Sequence, residues 1–174
     1  MRTQLVPLIG AAIAVVLQII VAPLITFFSV VPGFIVSYVI VLGILRGGNA
    51  MYWYAFALGM IADLLSSTPL GLTPLLLLIA VFVLSRVFEV LDQTSPAMPL
   101  IACAATLLVF NVLFTIGLLI MGYEGGFGLV VSRALPATLI NAIICALYYF
   151  ALRKLPLGRE DSSAWSVPQS QRFR

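Results

Sequence analysis

No charged residue occurs between Arg2 and Arg46, and this uncharged stretch is the feature that most constrains how the chain can fold. It is far longer than the ~20 residues that cross the hydrocarbon core of a bilayer as one helix. The segment "FFSVVPGF" at 27–34 contains Pro32 and Gly33, two residue types that interrupt helices. The stretch therefore predicts two membrane helices, over 5–26 and 31–45.

The composition excludes a water-soluble domain. Of the 174 residues, 63% are hydrophobic and 9% are charged, whereas soluble domains have roughly 25% charged residues. Apolar runs such as "TPLLLLIAVFVL" are continuous, and so they lack the alternation of membrane β-barrel strands. We therefore predict an all-α integral membrane protein. No dense basic face indicates binding to nucleic acid.

Turn signals divide the remainder into four further helices. These signals are "RGGN" at 46–49, "SSTPLGLTP" at 66–74, "EVLDQTSP" at 89–96 and the Gly-rich "GYEGGFG" at 122–128. Thr68 and Thr73, each before a proline, are candidate N-caps of the fourth helix. The third predicted helix covers 50–65 and the sixth covers 133–152. Between them, the fourth ends near Arg86 and the fifth ends near Met121. Residues 1–155 would then form one bundle of six transmembrane helices.

The basic residues predict the orientation of the chain. With six crossings and a cytoplasmic N-terminus, eight of the nine basic residues are cytoplasmic, as the positive-inside rule favours. The only one outside is Arg133, and the inside set is Arg2, Arg46, Arg86, Arg153, Lys154, Arg159, Arg172 and Arg174. Both termini are therefore expected to be cytoplasmic. The polar tail 156–174 is expected to be disordered.

Residues able to carry chemistry are few. The chain has no histidine, which removes the usual general base and the commonest metal ligand. Cys103 and Cys145 lie inside predicted helices and are expected to be packing residues. No catalytic, cofactor-binding or metal-binding residue is predicted, and we do not expect an enzyme.

The polar and small residues within predicted helices favour helix packing. Asn and Gln in membrane helices usually form hydrogen bonds to a neighbouring helix, and this is the role expected of Gln18, Asn111 and Asn141. Gly10 and Ala14 lie four residues apart on one helix face, and small residues at this spacing allow another helix to approach closely.

Asp63 is the only charged residue between Arg46 and Arg86. Three interpretations stay open at this point. The carboxylate faces the outer headgroups, or it accepts backbone N–H groups of the connection that follows, or it forms an ion pair with Arg133. None of the three requires catalysis.

The segment "GMIADLLSSTPLGLTPL" resembles the rod shape-determining protein MreD family. The residues that carry the resemblance are Gly59, Asp63, Pro69, Leu70 and Gly71. The chain length, the six predicted helices, a Gln and a later Pro in the first helix, and an Asn in the last helix after "LPATLI" agree with it. The resemblance covers roughly residues 5–155.

This resemblance implies a non-enzymatic scaffold of the cell-elongation machinery in the inner (plasma) membrane. Its implied partners are an MreC-like membrane protein, the peptidoglycan polymerase and transpeptidase and, indirectly, an MreB-type filament. No cofactor is implied.

The family fold is similar to that of the substrate-binding S components of energy-coupling-factor vitamin transporters, which supplies an alternative function. In that alternative, Gly10 and Ala14 would face the coupling protein, and Trp53, Tyr54 and Asn141 would reach a vitamin pocket. A scaffold is instead expected to contain no large polar cavity.

Overall fold

The structure is a computed structural model that describes residues 2–25, 31–66, 69–90, 98–122 and 128–153. The side chains of 2–4, 87–90 and 128–133 are not part of this description. The described residues contain no β-strand, and their helices are α1 (Arg2–Ile20), α2 (Phe34–Arg46), α3 (Ala50–Leu65), α4 (Leu72–Val90), α5 (Met98–Ile120) and α6 (Gly128–Arg153). The predicted tail 156–174 lies outside the described residues.

The prediction of six helices is confirmed, but several predicted ends were wrong. The first helix ends at Ile20 and is followed by a short 3-10 helix, Ala22–Leu24, that contains Pro23. The sixth begins at Gly128 instead of 133 and continues through Pro136. Extending a helix pairs additional backbone groups, which is favourable in apolar surroundings.

The predicted N-cap of the fourth helix was also wrong for Thr73. Because α4 begins at Leu72, Thr73 lies inside its first turn. Thr68 lies outside the described residues.

Helix α2 is the centre of the bundle. It contacts all five other α-helices, and every side chain from Ile35 to Leu42 is buried. Its 13 residues extend only about 20 Å, less than the ~30 Å of a bilayer hydrocarbon core. The N-terminus of α2 lies among the other helices, because the Gly33 and Phe34 amides donate to Asn141 of α6 and Gln18 of α1.

The outer surface of the bundle is apolar. Large aliphatic and aromatic side chains are exposed on α1, α3, α4, α5 and α6, among them Ile20, Trp53, Ile120 and Leu139. By length and composition, Leu5–Leu24, Met98–Ile120 and Ala134–Arg153 are able to cross a membrane. Such a surface is unfavourable in water and indicates a membrane protein. The number of crossings and the orientation of the termini stay predictions.

Candidate functional site

Asp63 connects the end of α3 to the start of α4. Its side chain is 1% exposed. The carboxylate Oδ2 accepts a 2.7 Å hydrogen bond from the Gly71 amide and a 3.3 Å hydrogen bond from the Thr73 amide. The first amides of a helix have no partner within that helix and favour a nearby negative charge. Asp63 thus caps α4 from the neighbouring helix.

This geometry decides between two of the three interpretations of Asp63. A carboxylate buried to this degree does not face the headgroups, so that interpretation was wrong. The interpretation in which Asp63 accepts N–H groups of the connection is the arrangement that the structure shows. Arg133 lies within α6, but its side chain is outside the described residues. The ion pair between Arg133 and Asp63 stays a prediction.

Local backbone geometry brings Gly71 to the carboxylate. Helix α3 ends at Leu65, and the Ser66 amide and hydroxyl both donate to the backbone oxygen of Asp63, at 3.2 and 3.3 Å. Gly71 has a φ of 99°, in the region that residues with a side chain avoid. Among the residues that the structure describes, no atom beyond its chain neighbours lies within 4 Å of a Cβ built there. The need for glycine is therefore conformational and not a matter of space.

Gly59 lies one turn before Asp63, on the same face of α3. A Cβ built on Gly59 would lie 2.5 Å from Pro74 Cα and 2.8 Å from Pro74 N, closer than real atoms approach. Pro74 is in the first turn of α4, where the missing N–H of proline costs nothing. The two backbones are thus in direct contact beside the carboxylate.

Three leucines beside this connection are exposed on the surface of the bundle. Leu64 is 68% exposed, Leu70 is 64% exposed, and Leu65 is also exposed. Pro69 is half-buried. Leu64 and Leu65 end α3, and Leu70 lies in the connection that the Asp63 hydrogen bonds hold. We refer to these three leucines as the turn surface.

A family comparison agrees with this motif. The family model described as rod shape-determining protein MreD matches residues 1–156. The chain belongs to the MreD family. No curated protein and no solved structure gives a significant match. Membership indicates a role in rod shape determination. The similarity to transporter S components stays a prediction.

A second polar cluster in this MreD-family chain surrounds the N-terminus of α2. Asn141 Oδ1 accepts the Gly33 amide at 2.8 Å, and Gln18 Oε1 accepts the Phe34 amide at 2.8 Å. Gln18 Nε2 donates to the backbone oxygen of Pro32 at 3.2 Å. Helices α1 and α6 therefore satisfy the backbone groups at the break that Pro32 and Gly33 create.

Sequence reasoning selected Gln18 and Asn141 as partners of neighbouring helices but did not identify what they bind. The Pro32–Gly33 break could have indicated these partners, because a helix that begins inside a bundle leaves N–H groups that neighbouring side chains have to accept. Asn111 has a different partner, since its Nδ2 donates to the Thr138 hydroxyl at 3.2 Å. That contact links α5 to α6.

Gly10 and Ala14 face the interior of the MreD-family bundle. Ala14 is fully buried, and a Cβ built on Gly10 would lie 2.5 Å from the Tyr38 hydroxyl oxygen. That hydroxyl donates a 2.7 Å hydrogen bond to the backbone oxygen of Pro7. In this structure α2 occupies that face of α1, whereas the transporter alternative would place a coupling protein against it.

Two of the residues that the transporter alternative would place in a vitamin pocket differ in their surroundings. Trp53 is 76% exposed, whereas Asn141 is buried and bonded to Gly33. Within the described part of the chain, no group of three or more Cys, Asp or Glu side chains comes together. Cys103 and Cys145 are both buried, and the Cys145 thiol contacts the backbone oxygen of Ser37 at 3.5 Å.

Proposed function

We propose that this MreD-family protein is a non-enzymatic scaffold of the cell-elongation machinery in the inner membrane. In this role it holds an MreC-like membrane protein and, through it, the peptidoglycan polymerase and transpeptidase beside an MreB-type filament. The family membership supports the link to rod shape.

The observation that carries the proposal is how Asp63 is used. Asp63 is the ionisable residue of the motif, and it is 1% exposed and accepts hydrogen bonds from two backbone amides. A carboxylate that acts on a substrate has to reach it, whereas Asp63 is engaged in capping α4. By capping α4, Asp63 fixes the position of the turn surface on the exterior of the bundle. We infer that the turn surface contacts the MreC-like partner.

The proposal also includes the topology: the chain crosses the membrane six times, with both termini in the cytoplasm. Three helices are long and apolar enough to span on their own. Helices α2, α3 and the apolar part of α4 are shorter, and they would cross with their polar ends inside the bundle, as the α2 cluster illustrates. In this orientation the turn surface lies on the outer side and Arg86 on the cytoplasmic side.

Co-purification with the MreC-like partner at matched membrane abundance tests the proposal. Asp63→Ala removes an acceptor worth about 1.5–3 kcal/mol and should loosen the turn, so partner recovery should fall while the protein still accumulates in the membrane. Asp63→Asn should have the milder effect, because its amide oxygen still accepts an N–H group.

A matched pair of leucine variants separates the turn surface from the rest of the exterior. Leu70→Ala should reduce recovery of the partner. Leu139→Ala, which truncates an equally exposed leucine on α6 (68% against 64%), should not. Undiminished recovery with both Asp63→Ala and Leu70→Ala would show that the partner binds elsewhere.

A further inference from the structure

Two cysteine thiols meet at the interface between α5 and α6. Cys103 of α5 is 1% exposed and Cys145 of α6 is 0% exposed. The two thiols are hydrogen-bonded to each other, and the Cys145 sulfur also lies 3.5 Å from the backbone oxygen of Ser37 in α2. They are the only cysteines of the chain. Packing alone does not require that both sulfurs lie at the same point of the core.

The register of the two helices places these sulfurs at the same level. Seven residues join α5 to α6, and consecutive helices with a short connection run antiparallel. The bond from Asn111 to Thr138 links the two helices. Cys103 lies about 12 Å before Asn111 along α5, and Cys145 lies about 10.5 Å after Thr138 along α6. In an antiparallel pair these two steps lead in the same direction, so the cysteines are level to within roughly 2 Å.

Small side chains surround each cysteine along its own helix. Alanine occupies positions 102, 104 and 105 of α5 and positions 142 and 146 of α6. Small residues between membrane helices allow the two backbones to approach closely. A disulfide requires a separation between its two Cα atoms of about 4.4–6.8 Å. The alanines therefore favour the close approach that a bond between the two sulfurs needs.

The surroundings of the pair do not favour a metal ion. Structural zinc takes four ligands, and among the residues that the structure describes no three Cys, Asp or Glu side chains come together. A monovalent copper ion held by two thiolates would leave one net negative charge in an apolar interior, which is costly. A disulfide is uncharged, so its formation leaves the interior neutral.

We propose that Cys103 and Cys145 are a redox-sensitive pair that hydrogen peroxide converts to an intramolecular disulfide. The peroxide oxidises one thiol to a sulfenic acid, and a water is released. The second thiol then attacks the sulfenic sulfur, so that the S–O bond breaks, the S–S bond forms and a second water leaves. Two electrons pass from the sulfurs to the peroxide, and the thiol protons end in the two waters. The new bond joins α5 covalently to α6, and a dithiol reductant reverses it.

Burial of both sulfurs restricts the oxidants that react with the folded protein. Hydrogen peroxide is uncharged and close to water in size, so it can reach the sulfurs between the helices. Glutathione disulfide is bulky and charged, and its own sulfur has to come into line with the attacking thiol. The packed helices around Cys103 and Cys145 exclude such an approach.

Labelling of the purified full chain tests the pair. The protein in mild detergent is exposed to hydrogen peroxide, unfolded, and treated with a maleimide that labels every remaining thiol, and its intact mass is then measured. The reduced wild type should take up two labels. The peroxide-treated wild type should take up none, and dithiothreitol should restore both. Treatment with glutathione disulfide in place of peroxide should leave both thiols free to label.

Two swap variants keep the number of thiols and move one of them. They are Cys103→Ala/Ala104→Cys on α5 and Cys145→Ala/Ala146→Cys on α6. A shift of one residue turns the thiol about 100° around its helix, away from the other sulfur. Disulfide formation in both variants should be at least about tenfold slower than in the wild type, because the facing geometry that brings the sulfurs together is lost.

Four results would overturn the inference. They are a wild type that keeps both thiols after peroxide, swap variants that form the disulfide as fast as the wild type, equal oxidation by glutathione disulfide, or a disulfide that joins two chains, seen as a dimer on a non-reducing gel. The inference uses neither the membrane orientation nor a partner protein. Its outcome is therefore independent of the scaffold proposal.

Discussion

The backbone of Gly59 in α3 lies directly against the backbone of Pro74 in α4, so that a Cβ on Gly59 would be 2.5 Å from Pro74 Cα. Rigid backbone forms this contact, and it cannot move aside as the end of a flexible side chain can. Any larger residue at position 59 has to separate the two helices. The contact lies one turn from Asp63, so separation also displaces the carboxylate from the amides that it caps.

Gly59→Ala should therefore destabilise the protein. Overpacking a close contact costs about 1–3 kcal/mol, and the helix gains only ~0.5–1 kcal/mol from replacing glycine with alanine. The measurement is the thermal unfolding midpoint in detergent. Gly43→Ala is the matched control, because a Cβ there would meet Leu84 at an ordinary 3.4 Å. A midpoint for Gly59→Ala at or above that of Gly43→Ala would contradict the contact.

Gly10→Ala should also destabilise the protein, by pushing the Tyr38 ring. A Cβ on Gly10 would lie 2.5 Å from the Tyr38 hydroxyl oxygen and 2.9 Å from two ring carbons. Removing the hydroxyl relieves the closest of these contacts. In the Gly10→Ala/Tyr38→Phe double variant, the loss of unfolding free energy should therefore be smaller than the sum of the two single losses. Simple additivity, within ~0.5 kcal/mol, would show that the two residues do not touch.

Asn141→Ala should cost more stability than Asn111→Ala. Removing Asn141 leaves the half-buried Gly33 amide without its acceptor, and a donor left unsatisfied away from water costs about 1–3 kcal/mol. Removing Asn111 leaves the Thr138 hydroxyl with its 2.7 Å bond to the backbone oxygen of Ala134. Denaturant unfolding of the two variants in the same detergent provides the comparison. Equal losses would mean that capping of α2 contributes no more than an ordinary interhelical bond.

The orientation is tested by cysteine labelling from outside intact cells. Single cysteines are placed at positions 3, 27, 125 and 168 in a background that lacks Cys103 and Cys145. Positions 27 and 125 should react, and positions 3 and 168 should react only after the cells are opened, because the positive-inside rule places both termini in the cytoplasm. Labelling of position 168 in intact cells would exclude six crossings with a cytoplasmic N-terminus.

The sequence by itself determined the helical character of the chain, its approximate divisions and its family. Continuous apolar runs exclude strands because the lipid-facing backbone has to pair within each segment. Breaks such as Pro32–Gly33 act locally through missing N–H groups and unusual dihedral angles, so they are visible in a single stretch. The Gly59–Asp63–Gly71 spacing is visible for the same reason, since its contacts span only a few helical turns.

Only the tertiary structure decided which surfaces are interior and what the buried polar groups bind. The bond from Gly33 to Asn141 joins residues 108 positions apart, and no local pattern specifies such a pair. Gly10 and Ala14 have the spacing of an interface with any helix, and the fold assigns that interface to α2. The sequence left Asp63 open to headgroups, to backbone amides or to Arg133, and its burial excluded the headgroups. Small and polar side chains in a membrane helix are ambiguous for this reason, because their role depends on which helix packs against them.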